Sequence, residues 1–354
     1  MAYQTKKEIE KAYLVGVAFS NKDDVEYSLK ELKNLCETAK LEVVGQTFQI
    51  VRTVTPATLI GSGKLEEIKL EIENLGVNVV VFDYQLSGSQ VRNLSDYLNV
   101  KVIDRITLIL DIFASRAISN EGKLQVELAQ LKYNLPRLSG ISGTSGRFGG
   151  SGVGMRGPGE TKLELDKRIA QNNILKLERE IEKIKQNRQV QHKARNQNQA
   201  FKVAIVGYTN AGKSTLLNLI TKSSIYADDK LFATLDTTSR NVYLCEGKKI
   251  ILTDTVGFIS KLPHELVDAF SSTLEEAKDA DLILHVIDSS NSYFETQVQV
   301  VENVLNDIGI VCPIIKVYNK CDKLTEKNSS DGLYISAKQN IGIEELKKEI
   351  VKYM

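Results

Sequence analysis

The sequence predicts an α/β protein: an N-terminal α/β domain with a helical hairpin subdomain, then a P-loop domain built on a mostly parallel sheet with helices on both faces. Three observations carry this. Short Val-rich runs alternate with helical patterns up to about Ala117, as in successive βα units. The composition then shifts, and glycine and basic residues gather before about Ala200. From Phe201 onward a strand runs into a G-x-x-x-x-G-K-S loop and a helix, and further loop motifs follow. The boundaries implied are 1–117, 118–200 and 201–354. A chain of 354 residues with 42% hydrophobic and 26% charged residues can bury a sizeable core.

In the first stretch, YLVGVAF (13–19), LEVVGQTFQIV (41–51) and VNVVVFDY (77–84) read as strands bounded by turns. Between them, DDVEYSLKELKNLCETA and GKLEEIKLEIENLG space their apolar residues as helices do. Gly61-Ser62-Gly63-Lys64 imitates a phosphate loop, but Thr58 stands where the first glycine belongs and Leu65 where Ser or Thr belongs. A helix N-terminus accounts for it better.

The second stretch holds a helix over Glu121–Tyr133 that stops at Pro136. Gly140–Gly159 follows, with nine glycines in twenty residues, Arg147 and Arg156, and no acid. Within it, Gly152-Val-Gly154-Met-Arg-Gly157 spells G-x-G-x-x-G. No strand precedes it and Pro158 follows at once, so the dinucleotide-binding context is absent and the pattern argues against an oxidoreductase. From Glu160 to about Gln191 a long amphipathic helix is expected, with Leu163, Leu165, Ile169, Ile174, Leu177, Ile181 and Ile184 along its apolar stripe. Residues 161–200 carry ten Lys/Arg against five Asp/Glu, although the whole chain is only +1. Arg147, Arg156 and Lys162 are therefore candidate phosphate-backbone contacts to RNA. A solvated helix pair with a flexible connector is the plainer alternative.

The third stretch carries the chemistry. FKVAIVG is a strand of the buried type, and Gly207, Tyr208, Thr209, Asn210, Ala211, Gly212, Lys213 and Ser214 form the loop, with Thr215 in the helix after it. Its glycines let backbone N–H groups converge on phosphate oxygens at a helix N-terminus. Lys213 reaches the β/γ-phosphates and the Ser214 hydroxyl can ligate Mg²⁺. KKIILTDTVG is a strand ending in Asp254, Thr255, Val256 and Gly257. Asp254 suits Mg²⁺ contact through water, and the Gly257 amide suits the γ-phosphate. Asn319-Lys320-Cys321-Asp322 follows another strand, and its carboxylate can accept two hydrogen bonds from guanine, which adenine cannot offer. Ser336, Ala337 and Lys338 follow a further strand, where a backbone amide can meet the guanine oxygen. Four motifs in order, each on a loop after a strand, describe GTP binding.

The segment between the P-loop and Asp254, with Phe232, Ala233, Thr234, Leu235 and Asp236, should approach the nucleotide. Thr234 is the first choice for a Thr that senses Mg²⁺ and the γ-phosphate, with Thr237 and Thr238 as rivals. Lys213, Thr234 and Gly257 are the candidate catalytic residues. Phe258 stands where a water-orienting glutamine is common in such switches. Slow intrinsic hydrolysis, raised by a partner that reorders the switches, is the expectation.

These residues resemble the HflX family of translation-factor-class GTPases along the whole chain. The carrying features are GYTNAGKST, FATLDTT, DTVGF, NKCD and SAK, together with GRFGGSGVGMRGPGETKLELDKR, the most family-specific stretch. The resemblance implies GTP as substrate, Mg²⁺ as cofactor, and the large ribosomal subunit as partner, with splitting or rescue of stalled or idle ribosomes. Family switch segments usually have proline where Thr237 stands, which affects the stiffness of that turn more than the role of Thr234. Some members carry a further C-terminal domain, and this sequence runs to Met354, just past the last helix of the GTPase pattern. The alternative is a signalling GTPase with a protein effector. The four cysteines form no C-x-x-C pair, no start-of-chain signal pattern is read, and no apolar run approaches the ~18 residues of a membrane span. A cytoplasmic monomer is expected.

Overall fold

The structure is a computed structural model that describes residues 9–19, 22–138, 162–195, 201–221, 231–232, 238–244, 247–261, 276–324 and 332–354, with backbone alone at 22–23, 162 and 187–195. The Gly140–Gly159 loop with Arg147 and Arg156, the Lys162 side chain, and residues 233–237 with Ala233, Thr234, Leu235, Asp236 and Thr237 lie outside the described residues. The fold class is the predicted one, α/β with two largely parallel sheets. The chain divides into two compact units, one of residues 1–115 and 127–179, the other of residues 116–126 and 180–354.

In the first unit, β1 (Lys11–Ala18), β2 (Glu42–Ile50), β3 (Val79–Phe82) and β4 (Lys101–Asp104) form a parallel sheet in the order β2-β1-β3-β4. β1 and β3 are covered on both faces, so their sequences are continuous apolar runs instead of alternating ones. On one face Tyr13, Val15 and Val80 pack against α2 (Ser62–Leu75) and α3 (Gly88–Leu98) through Leu65, Ile68, Ile72 and Leu94. On the other, α1 (Lys22–Thr38) crosses closely enough that a Cβ on Gly16 would sit 2.8 Å from Val25. α3 starts with a capping box in which Ser87 Oγ accepts from the Gln90 amide and Gln90 Oε1 accepts from the Ser87 amide. Gly61 is the N-cap of α2, so the Gly61–Lys64 stretch is a helix start. α3, β4 and α4 (Arg105–Arg116) all lie between 84 and 117, where the sequence predicts no element; β4 and α4 share one run whose apolar residues are too even to show a period.

Beyond β3 and β4, a buried polar network closes this sheet. Arg105, 1% exposed, donates to Asp83 at 2.9 Å and to Glu31 of α1. Asp104 accepts from the Leu86 amide (3.1 Å), the Thr107 amide and hydroxyl (2.9 and 2.7 Å), and the Tyr133 hydroxyl (2.5 Å). Arg137 adds bonds to the Leu86 carbonyl and a cation–π contact to the Tyr133 ring. Tyr133 belongs to α5 (Asn120–Asn134), and a long helix, α6 (Lys162–Arg195), continues past the expected end near Gln191. Lys132 and Glu178 pair across these helices at 2.7 Å.

In the second unit, β5 (Phe201–Gly207), β6 (Thr238–Tyr243), β7 (Lys249–Asp254), β8 (Leu282–Asp288), β9 (Ile314–Asn319) and β10 (Leu333–Tyr334) follow the order β10-β9-β8-β5-β7-β6. Every pairing is parallel except β6 on β7. Thr238 opens β6 and pairs with Asp254, which places this one of the three candidate threonines within the sheet. One face is packed by α7 (Lys213–Thr221) and α9 (Ile343–Lys352) through Leu216, Leu217, Ile220, Leu346 and Ile350. α8 (Phe294–Ile308) buries Val301 and Leu305, and its N-terminal Phe294 meets Tyr318 edge-on. Among the described residues no helix is long and apolar enough to cross a membrane.

Candidate functional site

The candidate site lies at the C-terminal ends of β5, β7 and β9, where loops leave an open parallel sheet. β5 ends at Gly207, whose φ of +155° and closeness to Val286 demand glycine: a Cβ would sit 2.2 Å from the Val286 carbonyl oxygen. The chain turns through Tyr208, Thr209, Asn210 (φ +60°) and Ala211 to Gly212 (φ +94°), then enters α7 at Lys213. A Cβ on Gly212 would strike Asn319 Nδ2 at 2.2 Å. Neither glycine can be replaced without moving backbone or the Asn319 side chain. The first turn of α7 has no acidic residue, so its amides present positive charge undiminished.

Lys213 is buried and its Nζ donates to the carbonyls of Gly207 (3.1 Å) and Tyr208 (2.8 Å). Burial lowers its pKa to about 8, against the opposing pull of the Asp254 carboxylate. An ammonium so desolvated favours an anionic ligand. Asp254 ends β7, is almost fully buried, and accepts from Ser214 Oγ at 2.8 Å. The pair joins a hydroxyl and a carboxylate, the hard oxygen donors that suit Mg²⁺ when substrate phosphates and water complete its shell. The described residues hold no cluster of three His, Cys, Asp or Glu, so a divalent ion here would depend on substrate oxygens. The Mg²⁺ assignment fits this donor set.

After Asp254 the chain doubles against the P-loop. Thr255 spends its hydroxyl and amide on the Ile205 carbonyl (2.8 and 3.3 Å). Val256 is buried, and Gly257 packs so tightly that a Cβ would lie 2.9 Å from both Lys213 Nζ and Thr209 Cγ2. The Phe258 amide donates to Gly207 (3.1 Å) and its carbonyl accepts from Thr209 (2.8 Å). Tyr208 Oη accepts from the Ser260 amide at 2.7 Å, a tie that sequence reading missed because its partners lie 52 residues apart.

The candidate base-reading loops after β9 and β10 are tied to one another and to the loop after β5. Asn319 Nδ2 donates to the Ala211 carbonyl (2.8 Å) while its Oδ1 accepts from the Ala337 amide (3.0 Å). Lys320 (φ +65°) donates to the Asn210 carbonyl (2.9 Å) and Asp288 (2.6 Å). Asp322 accepts from Ser336 Oγ at 2.6 Å, and this bond holds its carboxyl below the ordinary range. Lys338 is exposed and its charge acts in the same direction. The carboxylate is thus ionised and faces solvent, ready to accept from a ligand. Thr215 is half-buried in α7, and Phe232 is buried with φ +54°. Asp288 joins the candidate site through Lys320, and its one sequence signal is a carboxylate at the end of the apolar run LILHVID.

Comparisons with known proteins agree with this geometry. Residues 26–114 match a family described as GTP-binding GTPase N-terminal, 116–195 a GTP-binding GTPase middle region, and 202–320 a 50S ribosome-binding GTPase. The GTPase HflX of Caldanaerobacter subterraneus is 52% identical over 344 residues, spanning 96% of this chain and 80% of that protein. The GTPase HflX of Escherichia coli K12 is 40% identical over 348 residues, 95% of this chain and 81% of that one. Among solved structures, a GTP-binding protein from the archaeon Sulfolobus solfataricus in complex with GDP is 27% identical, with 98% of each chain covered and a TM-score of 0.52.

Proposed function

The chain belongs to the HflX family of GTPases, and from that premise we propose that it is a cytoplasmic, monomeric, Mg²⁺-dependent enzyme that binds the large ribosomal subunit, hydrolyses GTP slowly alone and faster on the ribosome, and splits or rescues stalled or idle ribosomes. GTP hydrolysis itself comes with the family. The ribosomal partner is supported by the match of residues 202–320 to a family described as 50S ribosome-binding.

One observation carries the nucleotide reading: Asn319 joins the P-loop at Ala211 to the second base-reading segment at Ala337, which supports phosphate and base subsites held at fixed spacing. In this reading Gly207–Thr215 cradle the phosphates, with Lys213 on the β/γ oxygens. Ser214, Thr234 and, through water, Asp254 hold Mg²⁺, which when bound neutralises charge on the phosphoryl oxygens. Phe232, Ala233, Thr234, Leu235 and Asp236 close over the substrate, and Thr255, Val256 and Gly257 bring an amide to the γ-phosphate. Asn319, Lys320 and Asp322 read guanine, with Ser336, Ala337 and Lys338 closing the base pocket.

The three-part division at 117 and 200 is retained as the functional one, with the Gly-rich loop as an RNA probe. A loop with little side-chain bulk can approach an RNA backbone closely, and Arg147, Arg156 and Lys162 would supply salt-dependent phosphate contacts. The test is GTP turnover with and without purified large subunits, together with co-sedimentation of the protein loaded with a GTP analogue. Subunits should raise turnover and carry the protein down, and shortening Gly140–Gly159 should remove both effects. Unchanged turnover with no co-sedimentation would overturn the ribosomal reading.

A further inference from the structure

Hydrolysis of GTP needs a group that orients the attacking water, and the residue after Gly257 cannot provide it. Phe258 has no polar side-chain atom, its ring is buried at 5% exposure, and its amide and carbonyl are both taken by the P-loop. The polar side chain beside it is Thr209. That residue is 7% exposed, its amide is fixed to the Phe258 carbonyl, and its Oγ1 is buried with no hydrogen-bond partner among the described residues. Buried hydroxyls are nearly always paired, so an orphan of this kind calls for a use.

The position of Thr209 suggests the use. A Cβ added to Gly257 would lie 2.9 Å from Thr209 Cγ2, 3.0 Å from Thr209 Cα and 2.9 Å from Lys213 Nζ. Thr209, Gly257 and the lysine ammonium therefore meet at one corner, where the γ-phosphoryl group is expected. We infer that the Thr209 hydroxyl positions the attacking water, in place of the side-chain amide that Phe258 lacks. Resting on the hydrolytic reading above, this inference adds a residue role to it. A hydroxyl offers one donor and two acceptor lone pairs. It accepts a hydrogen bond from the water, turning a water lone pair toward the γ-phosphorus, and donates its own proton to a γ-phosphoryl oxygen. The water oxygen forms the new bond to phosphorus. The bond to the β–γ bridging oxygen breaks with its electron pair left on GDP, and the water proton passes to inorganic phosphate. Thr209 keeps its own proton throughout.

The experiment compares the full-length parent with Thr209→Val, Thr209→Ala and Thr209→Ser, without ribosomes. It measures single-turnover hydrolysis of bound GTP and equilibrium affinity for a non-hydrolysable GTP analogue. Loss of the hydroxyl in Val and Ala should slow the chemical step by about 100-fold, the size of losing one positioned group. Analogue affinity should fall by no more than about tenfold, the loss of one hydrogen bond to a γ-phosphoryl oxygen, which also shows that the variants fold, and Ser should recover most of the lost rate. Val and Ala within about twofold of the parent rate would overturn the inference. So would rate and affinity falling together with Ser no better than Val, which would make Thr209 a packing residue. A parent that binds the analogue but does not turn over GTP would instead overturn the hydrolytic reading beneath it.

Discussion

Two parallel sheets in one chain end in opposite ways. Beyond β3 and β4 of the first sheet, buried charges are held in ion pairs and hydrogen bonds: Arg105 donates to Glu31 and Asp83, and Asp104 accepts from Leu86, Thr107, Tyr133 and Arg137. Beyond β5, β7 and β9 of the second, the polar groups are fixed in place but keep capacity. Among the described residues Lys213 has three donors and spends two on carbonyls, Thr209 Oγ1 has no hydrogen-bond partner, and Asp322 turns an ionised carboxylate to solvent. The same architecture thus gives a closed end suited to stability and an open end suited to binding. Backbone geometry does not separate them; the pairing of buried charge does.

The largest expected effect comes from breaking the closed end. Arg105→Leu leaves Glu31 and Asp83 buried without their cation and should cost about 3–5 kcal/mol in the urea-unfolding free energy. Replacing Arg105, Glu31 and Asp83 together by apolar residues should recover most of that loss. GTP hydrolysis by the folded fraction should be unaffected in both. A loss no greater in the single variant than in the triple would show that the network is not a closed ion cluster.

A smaller effect sharpens the open end. The Lys213 pKa is lowered to about 8 by burial, so the charged form is already disfavoured before any ligand arrives. A bound polyphosphate favours the ammonium and raises that pKa. As pH rises through 8 the unliganded protein loses the proton that binding requires, and affinity falls. GDP affinity should be flat from pH 6.5 to about 7.5 and then weaken, approaching about tenfold per pH unit above pH 8. Affinity that stays level to pH 9.5 would show that Lys213 is charged there without help from the ligand.

The open end was far more legible in the sequence than the closed one. Phosphate and guanine recognition demand particular residue types at fixed spacing within single loops, so Gly207–Ser214, Asp254–Gly257, Asn319–Asp322 and Ser336–Lys338 can be found without a fold. The closed end is assembled from residues far apart. Arg105 pairs with Asp83 across 22 positions and with Glu31 across 74, and nothing in KVIDRITLILDIF marks it for burial. The links that brace the open end were hidden for the same reason: Lys320 to Asp288, Tyr208 to Ser260, and Asn319 to Ala211 across 108 residues. β6 was missed because TSRNVY, an edge strand with one fully buried residue, has neither an alternating nor a continuous apolar pattern.

The central claim is that the chain binds guanine nucleotide where β5, β7 and β9 end, through groups the fold leaves unspent. Calorimetric titration of GDP into the parent and into Lys213→Ala, with and without tenfold excess ADP, tests it most directly. One GDP per chain is predicted, undiminished by ADP and weakened about 100-fold or more by loss of the lysine. GDP binding that ADP displaces, or that survives Lys213→Ala at parental affinity, would contradict it.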